Sequence, residues 1–121
     1  MAVLSFRELI VWKKSMDLAK EIYMLTKKLP KDEIYGLSGQ MRRCAVSIPS
    51  NIAEGTKRGT TKDYIQFLRI AHGSAAELET QLTLSASIYN TQSNQAAQLL
   101  EEVQKMLSVL IRKLSTTHYP L

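Results

Sequence analysis

The chain has 121 residues, 45% hydrophobic and 22% charged, with five glycines, three prolines, one cysteine and a formal net charge of +5. This is the composition of an ordinary globular protein of one-domain size, and it excludes a disordered or collagen-like chain. The lone Cys44 excludes an internal disulfide, and the longest uncharged run, Thr80 to Leu100, is too rich in Thr, Ser, Asn and Gln to span a membrane.

The N-terminal residues lack the apolar centre of a signal peptide, because Glu8, Lys13 and Lys14 interrupt it, and the sequence predicts a soluble cytoplasmic protein. The first element is predicted as a helix over about residues 6–29. Ser5 and Glu8 have the spacing of a capping box, with Leu4 and Leu9 placed as the hydrophobic staple. Leu9, Trp12, Met16, Ala19, Tyr23 and Thr26 form one seam, widened by Val11, Leu18, Ile22, Leu25 and Leu29. Pro30 closes it, and Lys27 and Lys28 complement the negative end of its dipole.

The second helix, about residues 38–55, contains Pro49. Proline there cannot donate to the Ala45 carbonyl and crowds it, a penalty of roughly 3 kcal/mol that predicts a kink held by surrounding packing. Successive residues turn by about 100°. That places Met41, Cys44, Ala45, Ile48 and Ile52 on an inward face, and Arg43, Ser47, Ser50, Glu54, Lys57 and Arg58 on a polar one. Arg42, Val46, Pro49 and Ala53 lie on an intermediate flank, half apolar and a candidate subunit contact. Gly55 is expected to end the helix in the left-handed conformation, and Cys44 reads as a small buried hydrophobe.

The third helix, about residues 61–90, is expected to start at Thr60 with Asp63 in the capping-box position. Tyr64, Leu68, Ala71, Ala75, Leu78, Leu82, Ser85 and Tyr89 repeat at steps of four and three, the spacing of a bundle seam. A second seam, Phe67, Ile70, Ser74, Glu77, Gln81, Leu84 and Ile88, is polar at its centre. The Glu77 carboxylate is therefore expected to be partly buried, and Ser47, Asn51, Glu54 and Glu77 form a candidate structural polar network, with Arg43 as a further partner. The fourth helix, about residues 94–116, is expected to be capped by Ser93, with Ala96, Leu100, Val103, Leu107, Leu110 and Leu114 inward. Sustained period-two alternation and hairpin turns are absent from the sequence. Four helices with short connections predict a single all-α domain, an antiparallel up-down-up-down four-helix bundle.

Gly36-Leu37-Ser38-Gly39-Gln40-Met41-Arg42-Arg43 followed by Ser47-Ile48-Pro49-Ser50-Asn51-Ile52-Ala53-Glu54-Gly55 resembles the signature of the four-helix bundle proteins encoded in 23S rRNA intervening sequences. Phe6-Arg7-Glu8-Leu9-Ile10-Val11-Trp12 resembles that family's opening, and the run from Phe67 to Gln81 its third helix, so the resemblance covers nearly the whole chain. It implies a four-helix bundle assembling as a homopentameric ring. It also suggests a nucleic-acid connection, since related proteins are accessory factors to reverse transcriptases in diversity-generating retroelements. The group has no established enzymatic activity.

Charge distribution bears on that connection, because Arg42, Arg43, Lys57, Arg58, Lys62 and Arg69 face only Glu54 and Asp63 within the same stretch. They are the candidate contacts to RNA or DNA backbone, weighed against the plainer reading of solvated helix faces. A scaffold binding only protein is the alternative function. Arg112 and His118 have the spacing of a pair used by some helical ribonucleases, which makes that activity a third reading. His72 has no partner at metal-ligand spacing, Gly-rich phosphate loops are absent, and no cofactor or metal is expected. The sequence thus predicts a noncatalytic homo-oligomeric bundle that engages structured nucleic acid or a nucleic-acid enzyme.

Overall fold

Leu18, Ile22, Met41, Ile48, Ile52, Leu68, Leu78, Val103 and Leu107 are withdrawn completely from solvent, and they come from four helices. Each is worth about 1.5–3 kcal/mol on burial, so this shared core organises the molecule. The computed structural model describes residues 5–117. Its helices are α1 (Ile10–Thr26), α2 (Leu37–Thr56), α3 (Thr61–Tyr89) and α4 (Asn94–Thr117), with 3-10 turns at Phe6–Glu8 and Lys31–Glu33. The described residues contain no strand. Around the core α1 packs on α2 and α4, and α3 packs on α2 and α4, which makes a four-helix bundle.

The helix ends follow local chemistry, with one correction at each end of α1. The Ser5 hydroxyl accepts from the Arg7 N–H, and so caps only the short 3-10 turn. Leu9 is then extended at φ −75°, ψ 127°, and the α-helix begins at Ile10 rather than at 6. It ends at Thr26, three residues before Leu29, though Leu29 still reaches the core. The proposed staple partner Leu4 lies outside the described residues. Thr60 accepts from the Asp63 N–H at 3.1 Å and Ser93 from the Ala96 N–H at 3.0 Å, as their positions predict. Asn90, at φ 58°, closes α3 in the left-handed conformation.

Two readings of α1 and α2 need correction. On α1 the buried stripe is Val11, Ser15, Leu18, Ile22, Leu25 and Leu29, together with Ala19 and Thr26, while Trp12 and Met16 are half-buried and Tyr23 is exposed. The helix carries two adjacent apolar stripes, and its neighbours cover the one that sequence periodicity treated as secondary. On α2, Gly55 is not a left-handed cap. It is helical and buried, and a Cβ there would lie 2.9 Å from Cδ1 of Tyr64 and 3.0 Å from Cβ of Phe67. The residue with φ 93° is Gly59, in the following turn. Pro49 sits buried inside α2, which runs unbroken from Leu37 to Thr56.

Candidate nucleic-acid interface

The six predicted cations separate into three settings. Lys57 and Arg58 lie in the turn after α2, Lys62 opens α3, and Arg69 follows it seven residues later on the same outward arc, about 10 Å along the axis. All four are exposed at the α2–α3 end. The Arg58 guanidinium lies 5.1 Å over the Phe67 ring and 3.7 Å from Glu54 Oε2. Both members of that ion pair are about half exposed, so it is weak and exchangeable for another anion. Arg43 is exposed on the side of α2 that faces α3, beside Cys44 and Glu77. Arg42 projects the other way, with its Nε donating to the Thr26 hydroxyl at 2.8 Å and its guanidinium 4.7 Å over the Tyr23 ring. About fifteen residues of α2, some 22 Å, separate it from Lys57. Lys57, Arg58, Lys62 and Arg69 thus lie exposed toward the α2–α3 end, and Arg42 and Arg43 lie farther back along α2.

The predicted polar network also divides. Ser47 and Ser74 share a hydroxyl–hydroxyl bond of 2.9 Å, and Asn51 Nδ2 donates to both the carbonyl and the hydroxyl of Ser47. Glu54 points away to Arg58. Glu77 is exposed, not partly buried, and the buried polar residue of that seam is Gln81, with 5% of its surface accessible. Helix geometry explains the exchange. Phe67, Ser74 and Gln81 fall about 60° closer to the core than Ile70, Glu77 and Leu84, although both sets belong to one heptad reading. Ser74 was part of that seam, but only the packing of α3 on α2 marks it as the partner of Ser47.

Cys44 is buried in the cleft lined by Gln40, Arg43, Ser47, Ser74 and Glu77. Burial pushes its thiol above the usual range, while a hydrogen bond from Gln81 acts in the opposite direction. That keeps it protonated and unreactive near neutral pH. At the opposite end of the bundle Glu33 accepts from the Leu37 N–H at 3.0 Å and from the Tyr89 hydroxyl. It caps α2 and ties the α1–α2 connection to the end of α3. The Tyr89 bond first, and the Leu37 bond second, hold its carboxyl below the ordinary range. His72 is half-buried on α3, Arg112 is exposed on α4, and His118 lies outside the described residues. Among the described residues no three His, Cys, Asp or Glu side chains are grouped to hold a metal ion. No helix among them is long and apolar enough to cross a membrane.

Sequence periodicity did not separate out one further feature. Trp12, Met16 and Tyr23 of α1 join Val46, Pro49 and Ala53 of α2, with Phe6, Ala19 and Ser50, around an apolar groove of about 550 Å³. The predicted intermediate flank of α2 forms one wall, and the uncovered stripe of α1 forms the other. Lys20 is the one charged residue in its lining.

The family model of the 23S rRNA-intervening sequence protein matches residues 7–112. A crystal structure of a protein of unknown function from the S23 ribosomal protein family of Bacteroides thetaiotaomicron superposes with a TM-score of 0.75 at 28% identity, covering 85% of this chain and 99% of that one. Among curated proteins, none matches the chain. With the match spanning most of the four helices, including the Pro49 segment, the chain belongs to the 23S rRNA-intervening sequence protein family.

Proposed function

We propose that this protein is a noncatalytic, cytoplasmic, homo-oligomeric adaptor that engages structured RNA or DNA through the α2–α3 end of the bundle. The observation that carries the reading is the cluster of Lys57, Arg58, Lys62 and Arg69, all exposed and opposed nearby by Glu54 and Asp63. Such a cluster binds backbone phosphate by displacing condensed counterions, without a base-specific code. The homopentameric ring that the family resemblance implies would repeat the cluster five times, and the fields of neighbouring clusters would add. A nucleic-acid enzyme such as a reverse transcriptase is the protein partner that resemblance suggests. The apolar groove favours a second reading, a scaffold that binds only protein, its own copies included.

The test is the retention of labelled structured RNA across a salt series. Affinity is expected to fall steeply with salt, and the combined Lys57→Ala, Arg58→Ala and Lys62→Ala variant is expected to reduce the slope of log K against log salt by about two to three. No binding at low salt would remove nucleic acid from the proposal and leave the scaffold reading.

A further inference from the structure

We propose that the polar cleft between α2 and α3, over Cys44, binds a small zwitterion of the α-amino acid class, its carboxylate on Arg43 and its ammonium on Glu77 and the side-chain carbonyl of Gln81. None of Lys57, Arg58, Lys62 and Arg69 takes part, so this site and the nucleic-acid contact stand or fall separately.

The cleft has a volume of about 390 Å³, within the roughly 300–1,000 Å³ of small-molecule sites. Gln40, Arg43, Cys44 and Ser47 line it from α2, and Ser74 and Glu77 from α3. Every one of these side chains carries a hydrogen-bonding group, so a ligand here is held by charge and hydrogen bonds rather than by apolar contact.

Two opposite charges share this space without pairing. Both act on the Cys44 thiol, Arg43 from the same helix and Glu77 from the facing one, yet among the described residues neither belongs to an ion pair. A guanidinium presents a planar fork of donors that matches a carboxylate, and a carboxylate accepts from an ammonium. One group of each sign suits a ligand that carries one of each, and Glu77 repels a polyanion.

The neutral groups complete the same two ends. The Ser47 and Ser74 hydroxyls bond to one another at 2.9 Å, and Ser47 also accepts from Asn51. Two hydroxyls carry two protons and their mutual bond uses one, so one O–H is left to donate whichever way that bond runs. Gln81 follows Glu77 by one turn of α3, is 5% exposed, and brings its amide against the Cys44 thiol. Its Oε1 has no hydrogen-bond partner among the described residues. A buried carbonyl oxygen without a donor is unfavourable, and an ammonium supplies that donor. Arg43 and the spare hydroxyl thus make an anion-accepting end, and Glu77 and Gln81 a cation-accepting one.

The experiment follows thermal unfolding of the full chain with each proteinogenic amino acid at millimolar concentration, then titrates by calorimetry those that raise Tm. At least one is expected to do so, and its methyl ester and its N-acetyl derivative are each expected to bind about ten- to a hundredfold more weakly. Arg43→Gln is expected to lose the preference for the free acid over the ester, and Glu77→Gln the preference for the free amine over the N-acetyl form. Both positions are exposed, so neither change disturbs the core. Gln81→Met keeps the length of the side chain without the amide, and is expected to raise the Tm of the free protein while weakening the ligand. A merely structural amide would move the first of these the other way. The proposal is overturned if no amino acid shifts Tm, or if binding survives Arg43→Gln and Glu77→Gln unchanged. A Gln81→Met chain that melts lower and binds as the parent does also overturns it.

Discussion

A methyl group added at Gly55 would press on Cδ1 of Tyr64 and Cβ of Phe67, whereas one added at Gly73 would meet nothing among the described residues. Alanine gains about 1 kcal/mol over glycine in a helix interior, but overpacking a close helix contact costs about 1–3 kcal/mol. Gly55→Ala is therefore expected to lower the urea midpoint, with the clash outweighing the propensity gain. A second residue-scale prediction concerns Glu33. Its folded-state carboxyl is held below the ordinary range, so its contribution is present above the unfolded value of about 4.3 and is lost as pH falls through the depressed folded value. Denaturant midpoints measured from pH 6 downward should fall in that window, and Glu33→Gln should flatten this part of the profile. An unchanged profile in the variant would show that the Tyr89 and Leu37 bonds do not couple to folding.

Among the elements, α1 shows most clearly how packing selects between candidate faces. Its sequence carries apolar residues on two neighbouring stripes, so the 3.6-residue period identifies an amphipathic helix without saying which stripe turns inward. Ile22 is fully buried, while its neighbour Tyr23 is 41% exposed and carries Arg42 on its ring. Ile22→Ala is expected to cost about 2–5 kcal/mol of stability, and Tyr23→Ala less than about 1 kcal/mol, in urea denaturation of matched samples. Equal losses would mean that the apolar groove is part of the folding core. On α2, Pro49 removes a donor from an unbroken helix, and two residues later Asn51 gives its side-chain amide to the Ser47 carbonyl at 2.8 Å. The Ser47 hydroxyl in turn reaches Ser74 on α3, so local and interhelical bonds support the stretch around the proline.

The whole molecule adds the spatial separation of cations that lie within 28 residues of sequence, Arg42 to Arg69. In the fold Arg42 is held against α1 by Thr26 and Tyr23, while Lys57, Arg58, Lys62 and Arg69 lie toward the α2–α3 end. Arg42→Ala is accordingly expected to leave RNA retention within about twofold of the parent, in contrast to the triple variant of the α2–α3 end, whose loss scales with the phosphate contacts removed. A loss from Arg42→Ala as large as that of the triple variant would place the nucleic-acid surface along the length of α2 instead.

The all-helical class, the four helices and the caps at Thr60 and Ser93 were legible in the sequence, because hydrogen-bond capping and helical periodicity act between residues a few positions apart. The same holds for most of the α3 and α4 seams, where Leu68, Ala71, Ala75, Leu78, Ala96, Leu100, Val103 and Leu107 are all buried. The choice of the Val11–Leu29 stripe over that of Trp12 and Tyr23 was settled only in three dimensions, as were the burial of Gln81 in place of Glu77 and the packing role of Gly55. Each depends on where a neighbouring helix lies, and a difference of some 60° around one helix axis decides between core and solvent. Local chemistry sets where a helix starts and how its apolar residues repeat; only the positions of the other helices set which way it faces.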